Sequence, residues 1–308
     1  MATSFKTFTN KDSVSTRTLL HESIPLTGSI VSGTYAEGAT STSNIRNYSH
    51  GMFQSVYDYP YLSSSANQIF DMTVGYHSSS ALQATTNIDN DSKINIYNQM
   101  AQILMGHDIT GSIRLFDNDG DLSAGGSKMT ECFFISFARL LSKDEIKKGS
   151  FKLEMGVTGT SLITAGDSWG YLADGNPFKG RIQITDSHAT TDYRVNSPAG
   201  EYAILKLNGT HTDSPLIGAA TSASATGSNC GLIFYQAGIV VLTSSIFLSG
   251  GIGGIGRGML SGNVNMDAGS ASIEGILTGS LSGAVDGFRH YFYDCSFNNT
   301  TELNSSVY

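Results

Sequence analysis

A charge-free apolar stretch, residues 231–249 (GLIFYQAGIVVLTSSIFLS), sets the first limit on the fold of this chain. It is nearly long enough to span a bilayer as a helix. The polar break at Gln236 and Gly238 and the abundance of Ile, Val, Phe and Tyr instead favour short strands. The stretch therefore predicts two buried strands around a turn, and we expect no insertion into a membrane.

Composition supports a β-rich protein with few charges. Only 14% of the residues are charged, against about 25% in an average soluble domain, and Gly, Ser and Thr fill the difference. Two interpretations remain open: a surface largely covered by neighbouring subunits, or an ordinary Gly/Ser-rich β protein with a bland surface. The net charge of -8 and the lack of basic runs among aromatic residues argue against nucleic-acid binding.

One helix is predicted over residues 91–106. Asp91 or Ser92 can cap its start, apolar side chains recur at helical spacing within it, and Gly106 ends it.

A second, shorter helix is predicted over residues 142–149. Ser142 and Glu145 form a capping-box pattern, in which each side chain accepts a hydrogen bond from a free backbone N–H of the first turn. Gly149 supplies the end of this helix.

Strands are predicted around these helices. Residues 132–137 form a continuous apolar run typical of a buried strand, residues 151–157 alternate as a half-exposed strand, and residues 202–207 read as another. Residues 277–287 place Leu, Gly and Val opposite Thr and Ser, which predicts a glycine-patterned strand suited to stacking between subunits. A membrane-helix GxxxG motif is the weaker alternative there.

Together these patterns predict a mixed, β-rich (α+β) fold. We expect an antiparallel β-sandwich or barrel-like core with one or two short helices and extended terminal segments. Residues 1–48 are predicted to be an extended N-terminal arm and residues 49–250 the β-rich main domain. Residues 251–308 are predicted to be a glycine-patterned strand segment and C-terminal tail, packed on the main domain or on neighbours.

Aromatic residues are concentrated in residues 50–76, where they anchor either a core or an interface, with the core favoured. They lie on either side of Pro60 in the sequence and are Phe53, Tyr57, Tyr59, Tyr61 and Phe70, together with the apolar Met52. The three cysteines, Cys132, Cys230 and Cys295, are far apart in apolar contexts and predict buried thiols of a protein folded in a reducing cytoplasm. No secretory signal is visible at the N-terminus.

One motif imitates a hydrolase. Residues 166–170 (GDSWG) fit the G-x-S-x-G nucleophile elbow, with Ser168 as nucleophile and Asp192 with His211 or His290 as partners. The helix that must follow the serine is missing, because YLADGNP comes next. A serine hydrolase is therefore the least favoured alternative, and we predict that the chain is not an enzyme.

Two further patterns imitate ligand sites. Residues 251–256 fit G-x-G-x-x-G, but no helix follows to receive a pyrophosphate. Residues 117–121 (DNDGD) resemble the start of a calcium loop, in which Lys128 replaces the bidentate glutamate. An ordinary acidic turn is favoured over a weak cation site, and no catalytic, cofactor or metal residue is predicted.

Several long segments of the sequence resemble virion structural proteins of marine T4-like myoviruses. These are tailed phages, and the resemblance is strongest to those that infect cyanobacteria. They are HGMFQSVYDYPYLSSSANQIFDMTVGY from His50, KINIYNQMAQILMGHD from Lys93, FFISFARLLSKDEIKKGSF from Phe133, DYRVNSPAGEY from Asp192, GLIFYQAGIVVLTSSIF from Gly231, and FKTFTNKDSVSTRTLLHESIPLTGSIVSGTY from Phe5. The resemblance covers most of the chain and brings no catalytic motif with it.

The resemblance implies a non-enzymatic structural component of a tailed bacteriophage virion, assembled in the host cytoplasm. Its partners would be other virion proteins and copies of itself, joined by large protein–protein interfaces. Tail or baseplate is the favoured position. Neck or collar, head decoration and a host-surface-binding module remain as alternatives.

Overall fold

One large antiparallel sheet organises the chain. The computed structural model describes residues 9, 14–25, 44–121, 125–157, 180–208, 229–244, 277–290 and 292–307. The strands are β1 (Val14–Pro25), β2 (Ile45–Asn47), β3 (Gln54–Tyr57), β4 (Gln68–Tyr76), β5 (Phe116–Asp117), β6 (Lys128–Met129), β7 (Glu131–Phe137), β8 (Glu145–Ile146), β9 (Lys152–Val157), β10 (Gly180–Thr185), β11 (Arg194–Ser197), β12 (Gly200–Asn208), β13 (Asn229–Phe234), β14 (Ile239–Thr243) and β15 (Phe292–Val307). The helices are α1 (Asn90–Leu104), α2 (Arg139–Ser142) and α3 (Leu281–His290).

Thirteen of these strands belong to a single sheet. Its order is β1-β15-β9-β10-β12-β13-β14-β7-β4-β3-β2, with β11 paired to β12 and β8 paired to β15, while β5 and β6 form a separate pair. The registers of the paired strands are antiparallel. The predicted β-rich α+β fold with an antiparallel core is therefore confirmed.

The sheet curls so that distant strands pack face to face. Phe70 of β4 stacks on Phe292 of β15 with ring centroids 5.7 Å apart, and Phe137 of β7 lies 5.0 Å from Phe297 of β15. These strands are widely separated in the sheet order, so the aromatic rings meet only because the sheet folds over. The core lies inside this fold.

The prediction for residues 231–249 is confirmed where the structure describes them. β13 and β14 pair with each other and lie at the centre of the sheet, with most of their residues buried. Gly238 closes the turn between them with φ +66°, a conformation that glycine adopts without strain. A strand covered on both faces needs no polar alternation, which explains why this segment looks like a membrane helix by hydropathy.

The predicted strands at 132–137, 151–157 and 202–207 are confirmed as β7, β9 and β12. The prediction that the strand at 151–157 is half-exposed is wrong at Glu154, whose side chain is buried. Lys152 forms an ion pair with this carboxylate at 2.7 Å, and Gln183 donates to it at 3.2 Å. Paired in this way, a charged residue can lie inside the sheet.

The first predicted helix is confirmed as α1, but its predicted cap is wrong. The N-cap position is Asp89, in the left-handed region with φ 55° and without a side-chain hydrogen bond to its own helix. Gly106 ends the helix as predicted, with φ +74° and its N–H bonded to the carbonyl oxygen of Ala101.

The second predicted helix, residues 142–149, is wrong. The single turn of α2 ends at Ser142, Lys143 turns the chain away with φ 54°, and Glu145 enters β8. Pairing of β8 with β15 buries Ile146, and this tertiary contact outweighs the local capping pattern.

The strand predicted over residues 277–287 is also wrong, because most of it belongs to α3. Leu281, Ala284, Val285 and Phe288 follow helical spacing and are all buried. Phe288 stacks on Phe133 of β7 with centroids 4.3 Å apart. The alternating pattern coincided with a helical one, and packing on the sheet selected the helix. The predicted division into three segments stays a prediction.

Candidate functional site

The pairing of β1 with β15 extends beyond the rest of the sheet. The two strands pair over twelve residues, from Val14 opposite Val307 to Pro25 opposite Ser296. Residues 14–20 and 301–307 form the outer part of this ribbon, and we call them the arm. Within the described residues, neither half of the arm has any other strand partner.

A loop of the main body holds the base of the arm. The N–H of Asp144 donates to the carbonyl oxygen of Thr300 at 3.2 Å, and Oδ2 of Asp144 accepts the N–H of Glu302 at 2.7 Å. The arm therefore leaves the body at a defined position.

One face of the arm is polar, and its side chains bond to each other across the two strands. Arg17 forms an ion pair with Glu302, and the oxygens of Ser15 and Ser306 lie 2.8 Å apart. The pairing raises the pKa of Arg17 and lowers the pKa of Glu302, in each case mainly through their hydrogen bond. The charges of the arm are thus matched within it.

The opposite face of the arm carries no charge. Since side chains alternate along a strand, it is formed by every second residue. We call this set the uncharged arm face: Val14, Thr16, Thr18, Leu20, Thr301, Leu303 and Ser305. Its apolar members are open to solvent, with exposed fractions of 64% for Val14, 51% for Leu20 and 49% for Leu303.

The uncharged arm face is the core side of the sheet extended outward. Toward the body, the same face continues past Glu22 and Asn299 to the pair Ile24 and Phe297, which pack in the core. Exposed Leu and Val side chains on this face make it the candidate contact surface of the described residues. The extended N-terminal arm predicted over residues 1–48 includes the β1 half of this face, but no residue of the face was predicted as a contact residue. The period-two pattern of Val14, Thr16, Thr18 and Leu20 is the signal that could have found them.

The aromatic residues of 50–76 divide between core and surface. Phe70 is buried in the core, whereas Tyr59 is 58% exposed. Near the short edge strand β2, Tyr48 packs on Phe53 with centroids 4.8 Å apart, and the Arg46 guanidinium lies 4.6 Å above the Tyr48 ring. The predicted core role therefore holds for Phe70 but not for Tyr59.

Two buried ionisable side chains bind backbone groups. Burial lowers the pKa of Lys93 to about 8 against the opposing field of Asp89, and its Nζ donates to the carbonyl oxygens of Leu277 at 2.6 Å and Gly279 at 2.5 Å. Burial raises the pKa of Asp186, which accepts from backbone N–H groups of the 149–151 segment and from the Tyr235 hydroxyl at 2.8 Å. Perturbed ionisable groups are candidates for catalysis, but here these contacts tie segments of the chain together.

The acidic turn at residues 117–121 brings three carboxylates together. One oxygen each from Asp117, Asp119 and Asp121 lies within 4.8 Å of the others, a separation that a hard cation could bridge. Asp117 is buried and already forms an ion pair with Lys128, whose pKa burial lowers. Backbone N–H groups of Asp119 and Asp121 donate to the carboxylates two residues earlier, as in an ordinary Asx turn.

The hydrolase candidates are not assembled within the described residues. Ser168 and His211 lie outside them, as does the G-x-G-x-x-G match at 251–256. Asp192 forms an ion pair with Arg194 at 2.7 Å, and this hydrogen bond lowers its pKa. His290 is the last residue of α3.

The cysteine prediction is confirmed for burial. Cys132, Cys230 and Cys295 are buried free thiols, and burial raises the pKa of each. Among the helices of the described residues, none is both long enough and apolar enough to cross a membrane.

Comparison of the chain with protein-family models, curated proteins and solved structures found no match.

Proposed function

We propose that this chain is a non-enzymatic structural component of a tailed bacteriophage virion, with the tail or baseplate as its position. The observation that carries the proposal is the uncharged arm face: exposed Leu20, Leu303 and Val14 on a ribbon that extends from the body. A surface of this kind is suited to contact with another protein. The resemblance to virion proteins of T4-like myoviruses supplies the setting.

The low charge of the chain supports the same proposal. Interface centres are depleted in charged residues and enriched in aromatic ones, and this chain combines 14% charged with 10% aromatic residues. The shape of the arm supports the proposal as well. A ribbon that projects from the body can contact a neighbouring protein that the curled sheet itself would not reach. Neck or collar and head decoration remain alternative positions in the same particle.

Mass spectrometry of gradient-purified particles tests the proposal. We expect the chain at a fixed whole-number ratio to the other proteins of its ring or tube, and immunogold labelling on the tail or baseplate. A lysis protein of the same phage is the matched control, since it is made in the same cells but does not belong to the particle. Absence of the chain from particles, or trace amounts that vary between preparations, would overturn the proposal.

A further inference from the structure

We infer that the arm is a homotypic docking element: the uncharged arm face of one copy of this chain packs on the same face of a second copy. This deepens the proposed function by naming the partner of its interaction surface. The contact would be a small two-layer β-sandwich made of two ribbons.

The first step is the separation of charge between the two faces of the arm. Arg17 and Glu302 lie on the polar face and satisfy each other there. The other face consists of Val, Leu, Thr and Ser side chains, which carry no charge. A charged partner surface would therefore find no opposite charge to pair with. A surface of the same uncharged chemistry is the matching one, and a second copy supplies it in equal number.

The second step is the likeness of the two strands of the arm. On the uncharged arm face, Val14 lies opposite Val307 and Thr16 opposite Ser305, and each of the next two pairs sets one leucine opposite one threonine. The face therefore presents similar chemistry along either strand. A two-fold contact requires one patch to complement itself, and this likeness favours such pairing.

The third step is the size of the contact. Seven residues at about 3.4 Å each give a face about 24 Å long, and two strands about 4.8 Å apart give a width of about 10 Å. Two such faces in contact would cover about 240 Å² on each copy, or about 480 Å² in total, which is below the roughly 1,000 Å² of a stable specific interface. The arm alone is therefore expected to give only a weak dimer, which further contacts in a particle would strengthen.

The fourth step is the stability of the arm itself. A two-stranded ribbon with no third strand or covering layer is only marginally stable in water. Packing against a second ribbon would remove Leu20 and Leu303 from water. It would also hold the arm in the extended form that pairs with the partner.

The test compares two adjacent leucines in the full chain. Leu20 lies on the uncharged arm face, and Leu19, which is 46% exposed, lies on the polar face opposite Glu302. Leu20→Lys places a charge in the contact, whereas Leu19→Lys makes the same chemical change beside a carboxylate. We expect sedimentation to show a dimer whose dissociation constant rises at least about tenfold in Leu20→Lys and less than about twofold in Leu19→Lys.

Chemical crosslinking gives an independent readout, because the three native thiols are buried. Thr18→Cys, on the uncharged arm face, is expected to link two copies through a short bismaleimide. Ser15→Cys, on the polar face, is expected to give far fewer linked copies. Circular dichroism and melting curves check that each variant remains folded.

The outcomes separate this inference from the proposed function. A wild-type chain that stays monomeric up to about 100 µM, or equal weakening by the two lysine variants, would overturn the homotypic contact. A monomer that is nevertheless present in particles would leave the virion role standing and assign the face to a different protein. A dimer that is absent from particles would overturn the virion role alone.

Discussion

The carboxylate of Asp89 caps a helix that is not its own. Its Oδ2 accepts the backbone N–H of Leu281, the first residue of α3, at 2.9 Å, while its carbonyl oxygen accepts the N–H of Lys93 in α1. The start of α1 and the start of α3 are thereby joined at one residue. This contact positions α3, whose Phe288 fills the core against Phe133.

Asp89→Ala is expected to lower the free energy of unfolding by about 2 kcal/mol. The change removes a helix cap, worth about 1 kcal/mol, and places an alanine at φ 55°. Asp89→Asn keeps an acceptor oxygen and tolerates the left-handed conformation, so its loss should stay below about 1 kcal/mol. Chemical denaturation measures both values. Equal losses in the two variants would show that the cap is not the cause.

Lys93→Met should destabilise the protein by about 2 to 4 kcal/mol. The ammonium group donates to three backbone carbonyls, those of Ile88, Leu277 and Gly279, and methionine leaves them without this donor. Hydrogen exchange should rise first in α3, because two of the three carbonyls lie just before it. An unchanged exchange rate there would contradict the role of Lys93 as a link between α1 and α3.

The same lysine predicts a pH dependence. Its pKa is about 8 in the folded protein, whereas that of an ordinary solvated lysine is 10.5, so between these pH values the unfolded chain holds a proton that the folded chain has released. The free energy of unfolding of the wild type, compared with that of Lys93→Met, should therefore rise from pH 8 to pH 10.5. Denaturation curves at several pH values give this difference. A flat difference would mean that the three carbonyls keep the ammonium charged.

Gly75→Ala is expected to cost about 3 kcal/mol of stability. A methyl group at Gly75 of β4 would lie 2.7 Å from the carbonyl oxygen of Lys93 and 2.8 Å from the backbone nitrogen of Tyr97, so helix α1 would have to move off the sheet. Gly125→Ala is the matched control, since its methyl group meets nothing within 4 Å. That control should stay within about 0.5 kcal/mol of the wild type.

Ser142→Ala is expected to stabilise the protein by about 0.5 to 1 kcal/mol. Its Oγ is buried without a hydrogen-bond partner, and alanine removes that unsatisfied group. The capping-box interpretation predicts the opposite sign, a loss of about 1 kcal/mol. Ser80→Ala is the control, because the buried hydroxyl of Ser80 donates to Glu131, and its removal should destabilise. Thermal unfolding distinguishes the two signs.

A thiol reagent should find no reactive cysteine in the native protein. All three thiols are buried and burial raises their pKa values, so little thiolate is accessible. Three thiols per chain should titrate after unfolding in denaturant. Rapid reaction of any thiol before unfolding would contradict the buried positions.

Patterns confined to one segment predicted the fold well, and contacts between distant segments explain the errors. The apolar runs of β7, β13 and β14 have no alternative to burial, so their strands follow from the residues alone. The segment after Ser142 and the segment before His290 depend on partners far away in the chain. β8 forms because β15 lies beside it, and α3 is capped by Asp89. The β1 half of the uncharged arm face follows from the period-two pattern of residues 14–20, but the residues of β15 that complete it can be identified only from the register of β1 on β15.

The order of synthesis gives the pairing of β1 with β15 one further consequence. Ser15 and its partner Ser306 lie 291 positions apart in the chain. At a translation rate of about 5 to 20 residues per second, β1 is therefore synthesised about 15 to 60 s before β15. Until then, residues 14–25 have no β15 to pair with. A chain whose translation stops early therefore displays no arm, and the ribosome must finish residues 292–307 before the two strands can pair.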